Sequence, residues 1–487
     1  MKIKDLSSLK SFFKTIKTPI LGASVYGFER LGPEEFFSDY QLLSLYQSKE
    51  TDLIKKDLPI FCLEEKIGKR IRPRNASSLL CHPETQKYLR NFKNPTILLY
   101  KSSRRIEELS RKLNFNIAIS PSHFGKQLFE DKIKFREIAQ KIGVPPTPGR
   151  TISFSFLKNS SFSSLKEEFG FPFVLQHPRR GGGKGTFFIK DEEDLKIAKK
   201  TLANPPTQKV IAAKFVKGPT PSITGCITRF GVLSTRPQYQ ICDVPILYQR
   251  PDGAGLFCGH DWSASVFSQK ILKEAKEIVE KVGNYFKSQG YKGIFGLDFI
   301  LDEKEQKLYL TECNPRLLGS MPTLHMVQIA NGESPIIAFH LLEFLSIPYD
   351  IDIQKINNLM WQKKEGAQMF LHNHLQSKAT QEGELEPGAY KVQSAKYKMQ
   401  NNNLRFKSEL QFIRSGYKFC HLQAKNEFLL TDGIQKKGTK LQPFQRLCRV
   451  VAKKRVLDES LKDLLPETKE FINLISENLK LVSTTKF

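Results

Sequence analysis

Between residues 291 and 322 the chain reads YKGIFGLDFILDEKEQKLYLTECNPRLLGSMP, and apolar and polar positions alternate on both sides of a polar turn. Ile294 to Leu301 and Leu308 to Asn314 are predicted strands, with Asp302 to Lys307 as the connection. A hairpin centred on Glu305 places Asp298 opposite Glu312 and Ile300 opposite Leu310. The period of two adds Asn314 to the face of Glu312. Two like charges directly opposed repel unless a cation bridges them. Carboxylate, carboxylate and amide oxygen form a hard-oxygen set suited to Mg²⁺ held together with substrate phosphates. Arg316, just beyond, is placed to clamp a phosphoryl or carboxylate oxygen. An ordinary hairpin with solvated acids is the plain alternative.

The pattern upstream predicts a helix over Ser122 to Ile142, stopped by Gly143 and a proline-rich segment, with Lys132 inside it. Strands at Phe173 to Gln176 and Thr186 to Ile189 flank Gly181-Gly182-Gly183-Lys184-Gly185. This is no Walker A loop, because the spacing is wrong and a strand follows where a helix should. A glycine-rich hairpin tip exposes backbone N–H groups that suit phosphate oxygens, with Arg179, Arg180 and Lys184 as counter-charges. A flexible basic hairpin is the competing reading. Further on, Asp191 opens a helix to Leu202, and Lys209 to Val216 forms a buried strand. Ser222 to Leu233 and Arg236 to Val244 read as strands, Ser268 to Gln289 as a long amphipathic helix, and Val327 to Leu345 as mostly helical.

Residues before about 120 alternate short strands (Ile60 to Leu63, Thr96 to Tyr100, Asn116 to Ser120) with helices, as an α/β layer with a partly parallel sheet does. Beyond about 360, short alternating runs and turns predict a β-rich module closed by a helix near Leu461 to Leu481. The expected organisation is therefore 1–120, 121–350 and 351–487, a mixed α/β and α+β chain.

The chain has 487 residues, with 40% hydrophobic and 26% charged residues, too long for one core and typical of a soluble globular protein. No apolar run approaches membrane-spanning length. Eight cysteines are scattered without a CxxC pair, which points to reduced thiols and a cytoplasmic location. The net charge of +26 is spread along the chain and not gathered in a stripe. It leaves a nucleic-acid partner open, but no motif supports one.

Taken in order, the helix with Asp131-Lys132, Gly-Val-Pro-x-x-Pro, the glycine-rich hairpin, the strand toward Val216, Asp298 and Glu312-Cys-Asn314-Pro-Arg316 resemble the ATP-grasp superfamily over roughly residues 120 to 345. The wording around Asp298 and Glu312 is closest to a carboxylate–amine or peptide-ligase branch, distantly similar to the ATP-grasp domains of biotin carboxylase and carbamoyl phosphate synthetase. The resemblance implies an N-terminal α/β domain, a two-subdomain ATP-grasp fold and a C-terminal module. It also implies ATP with Mg²⁺ (or Mn²⁺), a small carboxylate activated as an acylphosphate for an amine, and a homodimer. Asp298, Glu312 and Asn314 would hold the metal. Lys132, Gln176, Arg180, Gly181, Gly182, Gly183, Lys184 and Gly185 would face the phosphates. Lys214, Phe215 and Val216 would bind adenine through the backbone, and Arg316 and Lys184 would act at the reacting centre. Gln176 stands where many members carry a lysine, so a catalytically reduced ATP-binding protein is the alternative. Ser320 stands where a carboxylase would carry an acid, which disfavours that activity.

Overall fold

The computed structural model describes every residue except 1, 205–206, 251–253, 376, 399–403 and 485–487. The first layer is a five-stranded parallel sheet in the order Ile60–Cys62, Gln41–Ser44, Ile20–Ser24, Thr96–Leu98, Asn116–Ala118. Short apolar strands alternating with helices produce this arrangement, because parallel neighbours need a crossover and both faces are then covered. The carboxyl ends of such strands are where ligands gather. Tyr100 lies just past one of them.

A separate four-stranded antiparallel sheet joins Gly149–Ser153, Lys209–Lys214, Phe173–Gln176 and Thr186–Ile189. Leu157, Leu165, Leu195, Ala198 and Leu202 of its helices pack on Phe173, Leu175, Ile189 and Val210 as one small core. The strand predicted to reach Val216 ends at Lys214.

The largest sheet has eleven strands. Its edge is the acidic hairpin, Gly293–Asp302 with Lys307–Asn314, followed by Pro221–Thr228, Gln238–Cys242 and Phe257–Asp261. Ala367–His372 then pairs antiparallel with Phe257–Asp261, and Arg446–Ala452 and Phe428–Thr431 follow. The C-terminal strands thus extend the sheet that carries the acidic hairpin. Helix Gln269–Ser288 buries Ile271, Ala275, Ile278, Val279, Val282 and Phe286, a single stripe at helical spacing. That stripe shares a core with Leu297, Phe299, Leu301, Leu308 and Leu310 of the hairpin. Each such side chain contributes about 1.5–3 kcal/mol on burial, so the hairpin is anchored on a rigid base.

Two expected helices toward the C-terminal end differ in extent. The segment from Val327 to Leu345 is split into Met321–Ala330 and Ile336–Leu345, because Gly332 takes a φ of 70° and Pro335 precedes the second helix. The last helix begins at Pro466, a proline at its first turn, and ends at Leu479. Among the described residues, no helix is long and apolar enough to cross a membrane.

Candidate active site

The acidic hairpin pairs Asp298 directly with Glu312, but Ile300 faces Tyr309 and Phe299 faces Leu310. The expected pairing of Ile300 with Leu310 is therefore corrected by one position. A bulge after Asp298 makes Thr311 the extra residue, and its Oγ1 donates to the Asp298 carbonyl at 2.9 Å. The turn is centred half a residue earlier than predicted, and the bulge restores the opposition of the two acids. Asn314 follows on the face of Glu312, and its Nδ2 donates to Asp298 Oδ2 at 2.9 Å. Gln240 Nε2 donates to the other oxygen, Oδ1, at 2.7 Å. Burial, and next the adjacent Glu312 charge, raise the Asp298 carboxyl well above the ordinary range, while Arg316 pulls the other way.

Lys132 meets this pair from another element. The predicted helix across Ser122 to Ile142 is broken: a π-helical turn covers Gly125–Phe129, and the α-helix spans Lys132–Lys141. Asp131 is its N-cap, accepting from the N–H groups of Ile133 and Lys134 at 3.1 and 3.3 Å. Lys132 is thus the first helical residue and not a solvated one in mid-helix. It is 5% exposed. Its Nζ lies 3.0 Å from Glu312 Oε2 and donates to the Arg180 carbonyl at 2.9 Å.

The glycine-rich loop reaches over the same space. Gly181, Gly182 and Gly183 line a cleft of about 730 Å³ that also takes in Lys132, Gln176, Asp298, Glu312, Asn314 and Arg316. Gly182 and Gly183 have φ of 66° and 77°, and a Cβ on Gly183 would stand 2.7 Å from the Ala254 carbonyl oxygen, so glycine is required there. The loop's cations are placed differently from expectation. Arg179 binds Asp131 at 2.8 Å, and Arg180 Nη2 donates to the Asn204 carbonyl at 2.6 Å. Arg180, Lys184 and Gly185 do not line the cleft. Gly185 closes the hairpin by accepting from the His177 N–H at 2.8 Å. Gln176 does line it, and its Nε2 donates to Thr186 Oγ1 at 3.2 Å.

Lys214, Phe215 and Val216 border the cleft at the end of strand Lys209–Lys214. The backbone N–H and C=O groups of Phe215 and Val216 bond to no described residue, leaving a donor and acceptor edge for a planar heterocycle. The fork of Arg316 is held from three sides. Nε donates to Glu130 Oε1 at 3.2 Å, Nη2 to Asn314 Oδ1 at 2.5 Å, and Nη1 to the Tyr100 hydroxyl. Its guanidinium also lies 4.6 Å from the centre of the Tyr100 ring.

Tyr100, Glu130 and Gln240 were not anticipated. Tyr100 follows a strand of the parallel sheet, a position that could have flagged it. Glu130 and Gln240 carry no local signal.

Residues 139–328 match the family model described as the ATP-grasp domain. The chain is 30% identical over 187 residues to the D-alanine–D-alanine ligase of Fusobacterium nucleatum, covering 38% of this chain and 55% of that one. It is 28% identical over 231 residues to biotin carboxylase 1 of Bacillus subtilis, covering 45% and 47%. The chain thus spans about half the length of these curated relatives. Among solved structures, a biotin carboxylase–β-γ-ATP complex from Campylobacter jejuni superposes with a TM-score of 0.58. That likeness covers 96% of this chain and 93% of the other at 14% identity, and is one of fold. Local strand order, cleft and family match converge on one statement: residues 139–328 of this chain are an ATP-grasp domain.

Proposed function

We propose that the chain is an ATP- and Mg²⁺-dependent ligase that activates a carboxylate as an acylphosphate and passes the acyl group to an amine. The observation that carries this reading is the directly opposed pair Asp298 and Glu312 on the cleft wall, with Asn314 beside them. Two carboxylates and an amide oxygen are hard donors, and the two half-buried acids have Lys132 in contact at Glu312, so these residues fit Mg²⁺ held together with nucleotide phosphates. Bound there, the metal supplies charge neutralisation for the nucleotide phosphates.

The chain's own residues supply the rest. The free backbone edge at Phe215 and Val216 suits adenine, and the Gly181–Gly183 amides suit the phosphates. The Lys132 ammonium lies beside Glu312 and within the cleft, where a γ-phosphoryl group would meet it. The substrate carboxylate attacks the γ-phosphorus and ADP leaves. The amine then attacks the acyl carbon, phosphate leaves, and the amine loses a proton. Arg316, held by Glu130, Tyr100 and Asn314, is positioned to stabilise charge on the acylphosphate. Phosphoryl transfer of this kind relies on positioning and charge more than on covalent chemistry.

The test is an ADP-release screen against pooled amino acids and small carboxylic acids, followed by isotopic labelling of the carboxylate oxygens of any active substrate. Label in the released phosphate supports the acylphosphate. ATP binding without ADP release under every pool would favour a catalytically reduced nucleotide-binding protein instead, with Gln176 as the residue to examine first.

A further inference from the structure

Across the floor of the cleft, a row of polar side chains continues away from the acidic hairpin. Gln240 pairs with His260, and His260 with Gln368, on three adjacent strands. Directly paired residues share a face of the sheet. Gln240 holds Asp298, so the row begins at the acidic pair. It ends in the interior at Arg449 and Asp432, which are 1% and 0% exposed. His260 is 5% exposed and lines the cleft together with Tyr100, Phe257, Leu318 and Gly319.

The hydrogen bonds along this row permit only one arrangement of protons. Arg449 donates through Nε and Nη2 to Asp432 Oδ2 at 2.9 and 2.8 Å. Its Nη1 donates to Thr323 Oγ1 and to the Gly319 carbonyl, both at 3.1 Å, and to Gln368 Oε1. A guanidinium only donates, so the atom of Gln368 facing it must be the carbonyl oxygen. The amide nitrogen of Gln368 therefore faces His260 Nδ1, at 3.1 Å. That nitrogen also only donates, so Nδ1 carries a lone pair and the ring proton sits on Nε2. Burial, and then the Arg449 charge, push the ring's pKa down to about 3, which keeps it neutral. Nε2 has no partner among the described residues.

We propose that His260 is a specificity-determining residue whose Nε2–H, fixed by the Asp432–Arg449–Gln368 chain, donates to a carbonyl or carboxylate oxygen of the second substrate in the cleft beyond Arg316. This rests on the ligase reading for the identity of the ligand, while the fixed tautomer stands on the hydrogen-bond chain alone. A ring locked in this state is a poor base and a reliable donor. It selects a ligand oxygen and rejects an ammonium or an N–H at the same point. The Gly319 carbonyl, held by Arg449, ties the loop after Arg316 to the same network, so the donor and the catalytic arginine are placed by one buried ion pair.

The test reads the ring directly. Deuterated protein carrying isotope-labelled histidine, with Mg·ADP bound, is examined by long-range proton–nitrogen correlation, and His260 is assigned by its loss in His260→Gln. The expected pattern is a protonated Nε2 and a bare Nδ1 throughout the neutral range. In Gln368→Glu, which offers Nδ1 an acceptor in place of a donor, the pattern inverts. A bare Nε2 in the wild type overturns the inference. Acetate, glycine and the remaining amino acids then serve as probes. The Nε2–H resonance should move saturably with at least one carboxylate in the wild type and not in Gln368→Glu, and a resonance unmoved by all of them also overturns it. With an active substrate in hand, His260→Gln keeps a donor near the same point and should hold the KM of that substrate within about threefold. His260→Leu should raise it about tenfold or more with the KM of ATP unchanged. Equal KM values in the two variants contradict the donor role. The two readings fail separately: absence of ADP release defeats the ligase and leaves the ring measurement intact, whereas turnover with a bare Nε2 defeats only the present inference.

Discussion

The Nζ of Lys132 lies 3.0 Å from Oε2 of Glu312, and it stands at the N-terminal end of a helix whose cap is the residue before it. Glu312 in turn opposes Asp298 across the hairpin. One cation thus offsets a pair of acids, with Arg316 close by.

Removing that cation should cost stability in a way that a metal repairs. Lys132→Met leaves the acids with less compensation. Since the Glu312 side chain is 25% exposed, the penalty should be about 2 kcal/mol, below the value for a fully buried pair. Denaturant unfolding in a chelator should show this loss, and added Mg²⁺ should recover part of it. Unchanged stability in the chelator would contradict the role given to the pair.

Gln176 borders the cleft, and its amide nitrogen donates to Thr186 Oγ1 at 3.2 Å. Gln176→Lys gives up that neutral hydrogen bond, worth about 1 kcal/mol, and adds a charge beside the space for phosphates. Equilibrium titration should show ATP affinity maintained or raised by up to about tenfold. A marked loss would mean that position 176 does not face the phosphates.

Glu50 yields a pH prediction away from the cleft. It is fully buried at the start of helix Lys49–Asp57, its Oε1 accepts from the Ile434 N–H at 3.2 Å, and its Oε2 has no hydrogen-bond partner among the described residues. Burial pushes its pKa up to about 7. The folded state therefore keeps a proton that the unfolded state has already lost above about pH 4.3. Stability falls as pH rises from there to about 7, then levels off. Glu50→Gln removes this dependence and should be near neutral at about pH 4 and stabilising by about 3–4 kcal/mol at about pH 8. Identical differences at the two pH values would refute the assignment.

The opposition of Asp298 and Glu312 could be read from alternation because a hairpin has one period and one turn. The bulge at Thr311 could not, since a one-residue irregularity leaves the hydrophobic count unchanged. The strands around the glycine loop, Phe173–Gln176 and Thr186–Ile189, were legible to the residue. The directions of Arg180 and Lys184 were not, because loop side chains answer to tertiary partners such as the Asn204 carbonyl. The start of the helix at Lys132 was hidden by an apolar pattern that runs unbroken across Asp131, although an aspartate before such a run is itself a cap signal. Tyr100 comes from an element far in sequence from the acidic hairpin, and Gln240 and His260 reach the cleft only through the pairing of their strands in the large sheet. The joining of Ala367–His372 to Phe257–Asp261 was equally invisible, since local pattern sets which residues form strands but not which strands they meet.

The central claim is that Asp298, Glu312 and Asn314 hold the metal of a phosphoryl-transfer site. The most direct test compares wild type with Glu312→Gln in Mg·ATP-dependent ADP release against the amino-acid and carboxylic-acid pools, with circular dichroism to confirm equal folding. Substrate-dependent ADP release by wild type and its loss by at least about a thousandfold in the variant is the predicted result. Wild-type turnover by a folded Glu312→Gln protein would contradict the metal-site assignment.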